Sequence, residues 1–526
     1  MSSKSLSAQR PHKCNETIST RINPLNQHKM SIVKVDVIIA VHNAQETIEE
    51  TVKSAMNQEI PEHLIPSLPL PNTTFDVAVC CYNDASTDKS LEILYRLKED
   101  FENSASLESD ESDNNLKPKI LIGTAAKGTS SRGAGYARNQ AAKLRELDST
   151  LAKSNDGDDD IIHYHFLCIL DSDDIMHPTR IAEQTCVMMS LSENALLGCQ
   201  FDRIPKDSTW HYASWANSLS DERVWLEQFR ECTLIQPTWF ISKSWFESLG
   251  GWLEAPVTEE EINDLKKATS STKYRLMHSS EFRETNSGTL RLAEDTRLFY
   301  AHLRAGGTIH LHRTSTPLVS YRHRVGMSQS SGTPRKLLMQ LRAKAWEDIV
   351  FFGKQERPYS KETVWSKLGF AIWGAGRDGK DFLKALSPDV ASRVVCFVDV
   401  DKNKIEKIKY YENPAIGRKI PILHFSALAK NPDGCNAENV VFGRVSKEKN
   451  EVDFGACDGQ KRNAPECNER KKKKQKTQPT HHFIHPNLLP KLPVAVCVAM
   501  YRTNGALESN VASIGRTEGK DLWHIC

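Results

Sequence analysis

The stretch VDVIIAVHNAQETIEETVKSAMNQ, residues 35–58, indicates the fold. Six of its first seven residues are apolar, which is typical of a strand that is buried on both faces. A polar turn follows at 42–45, and Ile48, Val52 and Ala55 then recur at helical spacing. Strand, turn and helix in this order predict one unit of a parallel sheet.

The same pattern recurs along the chain. Apolar runs at 75–81, 119–124 and 163–170 predict three further strands. Alternating strands and helices, with strands that are almost wholly apolar, predict an α/β fold with a mostly parallel sheet and helices on both faces. Ligands of such sheets bind at the carboxyl ends of the strands, so the loops that follow the strands are the expected place for chemistry.

The length of 526 residues exceeds what one hydrophobic core usually serves, so we expect two domains. A disordered N-terminus at 1–31 is predicted to precede a first domain at 32–354. The stretch FAIWGAGRDGKDFLKAL at 370–386 reads as strand, glycine turn and helix, and opens a second domain predicted at 366–526. Polar stretches that cannot bury enough apolar surface predict disordered insertions. These insertions are placed at 102–117, 148–160 and 257–290 in the first domain and at 431–482 in the second.

Composition gives weak guidance on partners and compartment. The net charge is +2, so the chain as a whole does not indicate nucleic-acid binding. Thirteen cysteines without paired metal spacing favour a reducing compartment, and no apolar stretch has the length of a membrane span or a secretory signal. We therefore expect a cytoplasmic protein that is not held in a membrane. The basic run at 470–476 leaves a nuclear location open, and the Ser-rich start leaves organelle import open.

An acidic group directly follows the fourth predicted strand: Asp171, Asp173 and Asp174. Three carboxylates within four residues repel one another, and a hard divalent cation such as Mn²⁺ or Mg²⁺ relieves that repulsion. The alternative is that they precede a helix and stabilise its N-terminus. After the second strand, Asp84 is placed to accept a hydrogen bond from a nucleobase imide, or else to form a turn that caps the next helix.

Two other loops suit phosphate and hydroxyl chemistry. Gly133 and Gly135 precede a helix that carries Arg138, a composition that suits a pyrophosphate. Glu294 and Asp295 begin a later amphipathic helix, where a carboxylate would deprotonate a hydroxyl group or cap the helix.

The segment 301–346 contains basic and histidine side chains but no acidic residue. Like charges without a counter-charge predict a phosphate-facing surface, although a solvated face is the ordinary alternative. The residues predicted to contact RNA are Arg313, Arg322, Arg324, Arg342 and Lys344. His323 is a candidate nitrogen ligand for the metal.

In the second domain, Gly374, Gly376 and Gly379 fit G-x-G-x-x-G between a strand and a helix. Asp399 follows at the spacing of a dinucleotide fingerprint. An NAD-binding oxidoreductase is therefore a hypothesis of another class. We predict a Rossmann-like accessory domain, because the short remainder of this domain offers no substrate site.

Taken together, VDVIIAVHNAQETIEETVKSAMNQ, YNDASTDKS, GAGYARNQA, CILDSDD, LGGW and AEDTRL resemble the nucleotide-sugar glycosyltransferases of family 2, which have the GT-A fold. The resemblance covers residues 33 to about 330 outside the insertions. It departs from the family at Ala40 and His42, where Pro and an aromatic residue are more usual.

The resemblance implies a metal-dependent, inverting sugar transfer. It assigns the uridine to Ala40, His42, Asn43 and Asp84, the ribose to Asp171, the metal to Asp173, the catalytic base to Asp295, and the leaving diphosphate to Arg138 or His323.

A second group of segments is similar to the queuosine-tRNA galactosyltransferases: QPTWFISKSWFESLGGW, SYRHRVGMSQS, FAIWGAGRDGKDFLKAL, VVCFVDVDKNKI and EGKDLWHIC. This similarity implies UDP-galactose as the donor and queuosine in the anticodon of tRNA(Tyr) as the acceptor. Two alternatives remain: a UDP-N-acetylglucosamine-dependent β-1,3-transferase acting on a galactose-containing acceptor, and a catalytically inactive RNA-binding protein.

Overall fold

The structure is a computed structural model. It describes residues 30–62, 64, 73–105, 116–148, 161–254, 292–323, 333–353, 363–413, 417–429, 486–499 and 505–526. Four regions predicted as disordered, 1–31, 148–160, 257–290 and 431–482, lie wholly or almost wholly outside these residues. Within the described ranges, no helix combines the length and apolar character needed to cross a membrane.

The chain divides into two compact units. The first comprises Met1–Thr363 with Lys384–Leu386 and Trp523–Cys526. The second comprises Val364–Leu383 and Ser387–Leu522.

Two sheets form the framework of the first unit. Its strands are β1 Met30–Val41, β2 Thr73–Asn83, β3 Lys119–Thr124, β4 Ile161–Asp171, β5 Ile175–Met176, β6 Ala195–Cys199, β7 Phe201–Ile204, β8 Phe240–Ser242, β9 Thr308–His312 and β10 Val319–Arg322. Among the described residues, seven strands form one sheet in the order β3-β2-β1-β4-β8-β6-β9, and β5-β10-β7 form another. The neighbours β3, β2, β1 and β4 run parallel, whereas β8 is antiparallel to β4 and β6. The four predicted strands and the mostly parallel α/β class are confirmed.

Helices connect and cover these strands. They are Ile48–Met56, Ser90–Ala105, Ala134–Ala141, Leu144–Leu147, Arg180–Met188, Trp210–Ser218, Asp221–Leu226, Lys243–Leu249, Glu294–Arg304 and Arg335–Trp346, with a 3₁₀ turn at Gln236–Thr238 and a π-helical turn at Glu347–Phe351. The helix Ser90–Ala105 continues four residues into the insertion predicted at 102–117. Apolar side chains on both faces of β1, such as Val37 and Ile38, are fully buried, which explains the continuous apolar run in the sequence.

The second unit has a sheet of its own. Its strands are β11 Phe370–Trp373, β12 Val394–Asp399, β13 Tyr410–Asn413, β14 Arg418–His424, β15 Val494–Val496 and β16 Leu522–His524, in the order β13-β14-β12-β11-β15-β16. Its helices are Val364–Leu368, Arg377–Ala385, Pro388–Ala391, Lys402–Lys407 and Ala506–Ser513, with 3₁₀ turns at Phe425–Leu428 and Pro486–Lys491. The strand, glycine turn and helix predicted from 370 onward are confirmed.

The glycine loop of this second unit is tightly packed. A Cβ atom on Gly379 would lie 2.0 Å from the carbonyl oxygen of Gly374, so glycine is needed for the helix to approach β11. The carboxylate of Asp399 accepts a hydrogen bond from the Ala375 N–H at 3.0 Å and pairs with Lys404 at 2.6 Å. The loop and a lysine thus both contact the carboxylate that completes the predicted dinucleotide fingerprint. Dinucleotide binding stays a prediction.

Candidate active site

The carboxyl ends of β1, β2 and β4 meet at one edge of the large sheet. In the parallel register, Ala40 lies opposite Tyr82 on β2 and Asp171 on β4. The loops that follow these strands therefore lie side by side, as the sequence predicts. They form part of the wall of a cavity of about 540 Å³.

Nine of the predicted site residues line this single cavity. They are Ala40, His42, Asn43, Asp84, Arg138, Asp171, Asp173, Asp295 and Arg322. Residues that are far apart in the sequence are thereby brought together. His323 is not part of the wall.

The first two loops are joined by hydrogen bonds. The Nδ1–H of His42 donates to the carbonyl oxygen of Asp84 at 2.7 Å. Asn43 adopts a φ of 50°, a left-handed conformation that asparagine tolerates, and its side-chain oxygen accepts from the Thr87 N–H at 2.8 Å. The backbone N–H of Asn43 donates to the Ser86 hydroxyl at 3.0 Å. The two loops therefore present one continuous surface to the cavity.

Asp84 is held by the glycine-rich loop. Its buried carboxylate accepts hydrogen bonds at Oδ2 from the Ser131 hydroxyl at 2.7 Å, the Arg132 N–H at 2.9 Å and the Gly133 N–H at 2.8 Å. Among the described residues, Oδ1 accepts only from the same Arg132 N–H, at 3.0 Å, so the contact with a nucleobase imide stays a prediction. The capping alternative is wrong for Asp84, because Asp88 caps the next helix through the Ser90 N–H at 2.9 Å.

Arg138 lies deep in the site and is 5% exposed. Its guanidinium donates to Asp171 Oδ1 at 2.6 Å and to Glu294 Oε1 at 2.9 Å. Burial opposes its charge, but the two carboxylates outweigh that effect and raise its pKa. Two of its N–H donors serve these carboxylates and its Nε is buried without a hydrogen-bond partner, so the contact of Arg138 with a pyrophosphate stays a prediction. Arg138 positions those carboxylates and links β4 to the helix Glu294–Arg304.

The LGGW turn is held by the helix that carries Arg138. Asn139 accepts from the Trp252 N–H at 3.0 Å and donates to the Trp252 carbonyl at 2.8 Å. Gly251 has a φ of 71°, and a Cβ atom there would lie 2.6 Å from the Asn139 side-chain oxygen. Glycine is therefore required, and these two motifs of the sequence are one structural unit.

The acidic turn after β4 brings three carboxylates close together. Burial, followed by the charges of Asp171 and Asp173, raises the pKa of Asp174 well above its ordinary value. Asp174 is fully buried and accepts from the Arg322 N–H at 2.8 Å. The alternative that this group stabilises a helix N-terminus is wrong, because β5 intervenes before the helix Arg180–Met188 begins.

The chemistry of this turn fits a hard divalent cation. Mg²⁺ is commonly held by one or two carboxylates together with the phosphates of a substrate, and Asp171 and Asp173 provide such carboxylates in the cavity wall. In the described part of the chain, no three His, Cys, Asp or Glu side chains are grouped as a ready-made metal site. The predicted ligand His323 lies outside the cavity wall, and its backbone N–H donates to the Ile204 carbonyl at 2.7 Å, at the end of β7.

Asp295 has the properties of a base that works near neutral pH. Burial and the charge of Glu294 raise the pKa of Asp295 to about 6, although the Thr296 N–H and Arg138 oppose this shift. The Thr296 N–H donates to Asp295 Oδ1 at 2.6 Å, but this bond joins neighbouring residues inside the helix, and the N-cap residue Ala293 makes no side-chain cap hydrogen bond. The capping alternative is therefore wrong. The Thr296 hydroxyl donates to the same oxygen at 3.2 Å, so Thr296 uses one carboxylate oxygen and leaves the other for proton transfer.

Carboxylates from elsewhere in the chain lie beside the acid-free segment. Arg313 pairs with Asp221 at 2.8 Å, Arg322 with Glu50 at 2.6 Å, Arg342 with Glu231 at 3.8 Å and Lys344 with Asp348 at 3.2 Å. The positive charge of these four residues is thus partly balanced, and their RNA-binding role stays a prediction. Arg324 lies outside the described residues.

Several residues of the cavity wall carried no motif in the sequence. They include Ser131, Arg203, Tyr212, Glu231, Cys232 and Tyr321. Arg203 and its neighbour Asp202 are the charged residues of the run that forms β6 and β7. A charge in a strand does not indicate what it faces.

Replacing Arg138 with Met is expected to lower the free energy of unfolding by about 3 kcal/mol or more, because Asp171 and Glu294 would be left without their counter-charge. Chemical denaturation measures the change. Arg96→Met is the matched control: Arg96 is exposed and pairs with Glu49 on the surface, so its loss should stay below about 1 kcal/mol. Equal losses for the two variants would show that Arg138 is not needed to balance the buried carboxylates.

Residues 36–112 match the family described as Glycosyl transferase family 2. This stretch includes β2 and the loops that carry His42 and Asp84. The poly(ribitol-phosphate) β-glucosyltransferase of Bacillus spizizenii is 27% identical over 124 residues, which are 24% of this chain and 15% of that protein. The match thus spans far less than two thirds of that relative.

Solved structures give weaker similarity over a longer stretch. TarS 1–349 of S. aureus in complex with UDP has a TM-score of 0.33 and 16% identity, covering 69% of this chain and 83% of that one. The mannosyltransferase PcManGT of Pyrobaculum calidifontis, in complex with GDP-Man and Mn²⁺, has a TM-score of 0.31 and 12% identity, covering 61% and 64%. The family match and the topology of the parallel strands confirm the predicted GT-A fold class.

Proposed function

We propose, starting from the glycosyl transferase family 2 match of residues 36–112, that the first unit transfers a sugar from a nucleotide-sugar donor to a hydroxyl acceptor with inversion. One observation carries the proposal. The acidic turn with Asp171 and Asp173 and the raised-pKa carboxylate of Asp295 line the same cavity. A diphosphate site and a general base side by side are what a direct displacement at a sugar carbon requires.

In this proposal the cavity wall at Ala40, His42 and Asn43 holds the nucleoside, and the diphosphate lies at the acidic turn. The acceptor oxygen attacks the anomeric carbon while the bond from that carbon to the diphosphate oxygen breaks. The hydroxyl proton passes to the Asp295 carboxylate. A Mn²⁺ or Mg²⁺ ion held by Asp173 would neutralise charge on the leaving diphosphate.

The specific substrates proposed are UDP-galactose and queuosine in the anticodon of tRNA(Tyr), which would give galactosyl-queuosine. This assignment rests on the resemblance of segments such as 236–252 and 370–386. The basic segment 301–346 adds little support to it, because four of its basic residues pair with carboxylates. The competing assignment is transfer of N-acetylglucosamine to a galactose-containing acceptor.

The direct test incubates the purified protein with UDP-galactose, Mn²⁺ and tRNA(Tyr) that carries queuosine. Mass spectrometry of the nucleosides should detect queuosine with one added hexose. tRNA(Tyr) with unmodified guanosine at the same position is the control and should gain none. Transfer from UDP-N-acetylglucosamine to a galactoside, with no product on tRNA, would replace this assignment by the competing one.

An aromatic side chain at the rim of the cavity supports an acceptor with a base. Trp210 is 58% exposed and directly follows Thr209, which lines the cavity. Its ring stacks on His211 with centroids 3.5 Å apart. Exposed rings of this kind stack on unpaired bases in RNA loops.

Trp210→Ala is therefore expected to raise the KM for tRNA by about tenfold, the effect of losing one stacked base. The KM for UDP-galactose should not change. Steady-state kinetics measure both values, and Tyr95→Ala provides the control, because Tyr95 is 51% exposed on the helix Ser90–Ala105 away from the cavity wall. An unchanged KM for tRNA in the Trp210 variant would remove this ring from the acceptor site.

A further inference from the structure

Arg203 is an unusual member of the cavity wall. It lies on β7 and is 8% exposed, yet it lines the cavity. Three aromatic rings surround its guanidinium, with centroids 4.2 Å away for Tyr321, 5.3 Å for Phe201 and 5.9 Å for Tyr212. We call these four residues the Arg203 cage.

Among the residues that the structure describes, Arg203 forms no ion pair, and the buried carboxylate of Asp174 interacts with its charge without direct contact. Its Nε atom is buried without a hydrogen-bond partner. The Nε atom of Arg138, in the same cavity, also lacks a hydrogen-bond partner, but two carboxylates pair with the terminal nitrogens of Arg138. Burying an unpaired charge is costly, and cation–π contacts with the rings offset only part of that cost. A buried cation without a partner that faces a cavity indicates a site for an anion from outside the chain.

The Arg203 cage adjoins the region of the base. The Tyr212 hydroxyl donates to the Cys232 carbonyl at 3.1 Å, and the Cys232 sulfur lies 3.6 Å from the hydroxyl of Thr296, the residue after Asp295. Both Tyr212 and Cys232 belong to the cavity wall. The acceptor hydroxyl must approach Asp295, so the cage lies where the rest of the acceptor would extend.

The loops proposed to hold the donor belong to other elements. They follow β1 and β2 of the large sheet, whereas Arg203 and Tyr321 face each other on β7 and β10 of the small sheet. The acidic turn lies between the two regions, because the Arg322 side chain beside Tyr321 donates to the Asp173 carbonyl at 2.8 Å. This arrangement favours an acceptor anion over the donor diphosphate as the partner of Arg203.

We infer that Arg203 binds a phosphodiester oxygen of the acceptor, next to the nucleoside whose hydroxyl is glycosylated. The inference rests on the proposed function, in which the acceptor is a nucleotide within RNA and so has a phosphodiester on each side. Guanidinium groups bind phosphate oxygens through paired N–H donors, and the rings hold this one in a fixed position. Arg203 is a specificity residue for the acceptor and takes no part in the proton transfer.

The test measures binding of a short single-stranded oligonucleotide to the full chain in the presence of saturating UDP and Mn²⁺. Arg203→Met should weaken this binding about tenfold or more, because it removes a charge-assisted hydrogen bond. Arg203→Lys should recover part of the loss, since it keeps the charge but not the paired donors. The affinity for UDP should stay within about twofold of wild type in all variants, and Arg96→Met is the matched control on the surface.

A second measurement uses the wild-type protein alone, so it does not depend on the folding of a variant. A dinucleotide with a neutral methylphosphonate linkage should bind about tenfold more weakly than the same dinucleotide with a phosphodiester. Equal binding of the two dinucleotides, or of wild type and Arg203→Met to the oligonucleotide, overturns the inference. A loss of UDP affinity in Arg203→Met with unchanged oligonucleotide binding overturns it in favour of the donor diphosphate.

The proposed function can fail separately. If queuosine-bearing tRNA gains no hexose, the proposed activity is wrong, whereas the two binding measurements still decide whether Arg203 holds a phosphodiester. If tRNA is galactosylated but the binding measurements show no effect, the activity stands and the inference about Arg203 falls.

Discussion

Replacing Asp295 with Asn should lower kcat by about 10²–10⁴-fold and leave the affinity for the nucleotide sugar unchanged. Asparagine keeps the size of the side chain and an oxygen for the Thr296 N–H, but it cannot accept the hydroxyl proton. Steady-state kinetics give kcat, and calorimetry with UDP gives the donor affinity. Full activity in the variant would place the base elsewhere, and a loss of donor affinity alone would make Asp295 a binding residue.

The pH profile offers an independent check on the same residue. The pKa of Asp295 is raised to about 6 by burial and by Glu294, and a base must be unprotonated, so kcat/KM should fall as the pH drops below about 6. This limb should be absent from the residual activity of Asp295→Asn. The pKa of Asp295 is higher in the folded protein than in the unfolded chain, so the folded protein loses stability as Asp295 ionises, and the full loss is reached above about pH 6. The Asn variant should therefore be more stable than wild type at about pH 8 and should lose this advantage at acidic pH.

The second large effect is expected at the acidic turn. Asp173→Asn should lower kcat/KM by about 10³-fold, because a metal at this position supplies several kcal/mol of charge stabilisation to the leaving diphosphate. Calorimetry should show that Mn²⁺ no longer strengthens UDP binding. Asp100→Asn, on the exposed side of the helix Ser90–Ala105, is the control and should behave as wild type.

If Mn²⁺ still strengthens UDP binding in Asp173→Asn, the metal is held by another carboxylate of the turn. Asp171→Asn would then be the informative comparison. Since Arg138 donates to Asp171, that variant should also weaken the pair that positions Glu294.

The fold was readable from the sequence because its signals are local. A central parallel strand is buried on both faces, so β1 and β4 appear as mostly apolar runs, and the chain must expose its polar groups where such a strand ends. Because polar residues follow the ends of these strands, the sequence also predicted that Asp84, Asp171 and Asp173 lie on one edge of the sheet. This prediction does not depend on which side chains contact one another.

The pairing of charges was not readable, because it depends on residues that are far apart in the chain. Arg138 and Glu294 are separated by 156 positions, and no local pattern indicates that they bond. The same reason explains why no local pattern showed that Arg342 pairs with Glu231, which lies outside the acid-free segment. Arg203 illustrates the opposite case, since only the three-dimensional surroundings reveal that its Nε is buried without a hydrogen-bond partner.

The bridge made by Arg138 has a thermodynamic consequence. One guanidinium is shared between Asp171 at the proposed diphosphate site and Glu294, and Glu294 is the charge that raises the pKa of its neighbour Asp295. Any ligand that draws Asp171 away from Arg138 changes the field at Glu294 and hence the proton affinity of Asp295. By reciprocity, protonation of the base must change donor affinity by the same factor. Binding of the donor and ionisation of Asp295 are then linked equilibria, and the Arg138 side chain connects them.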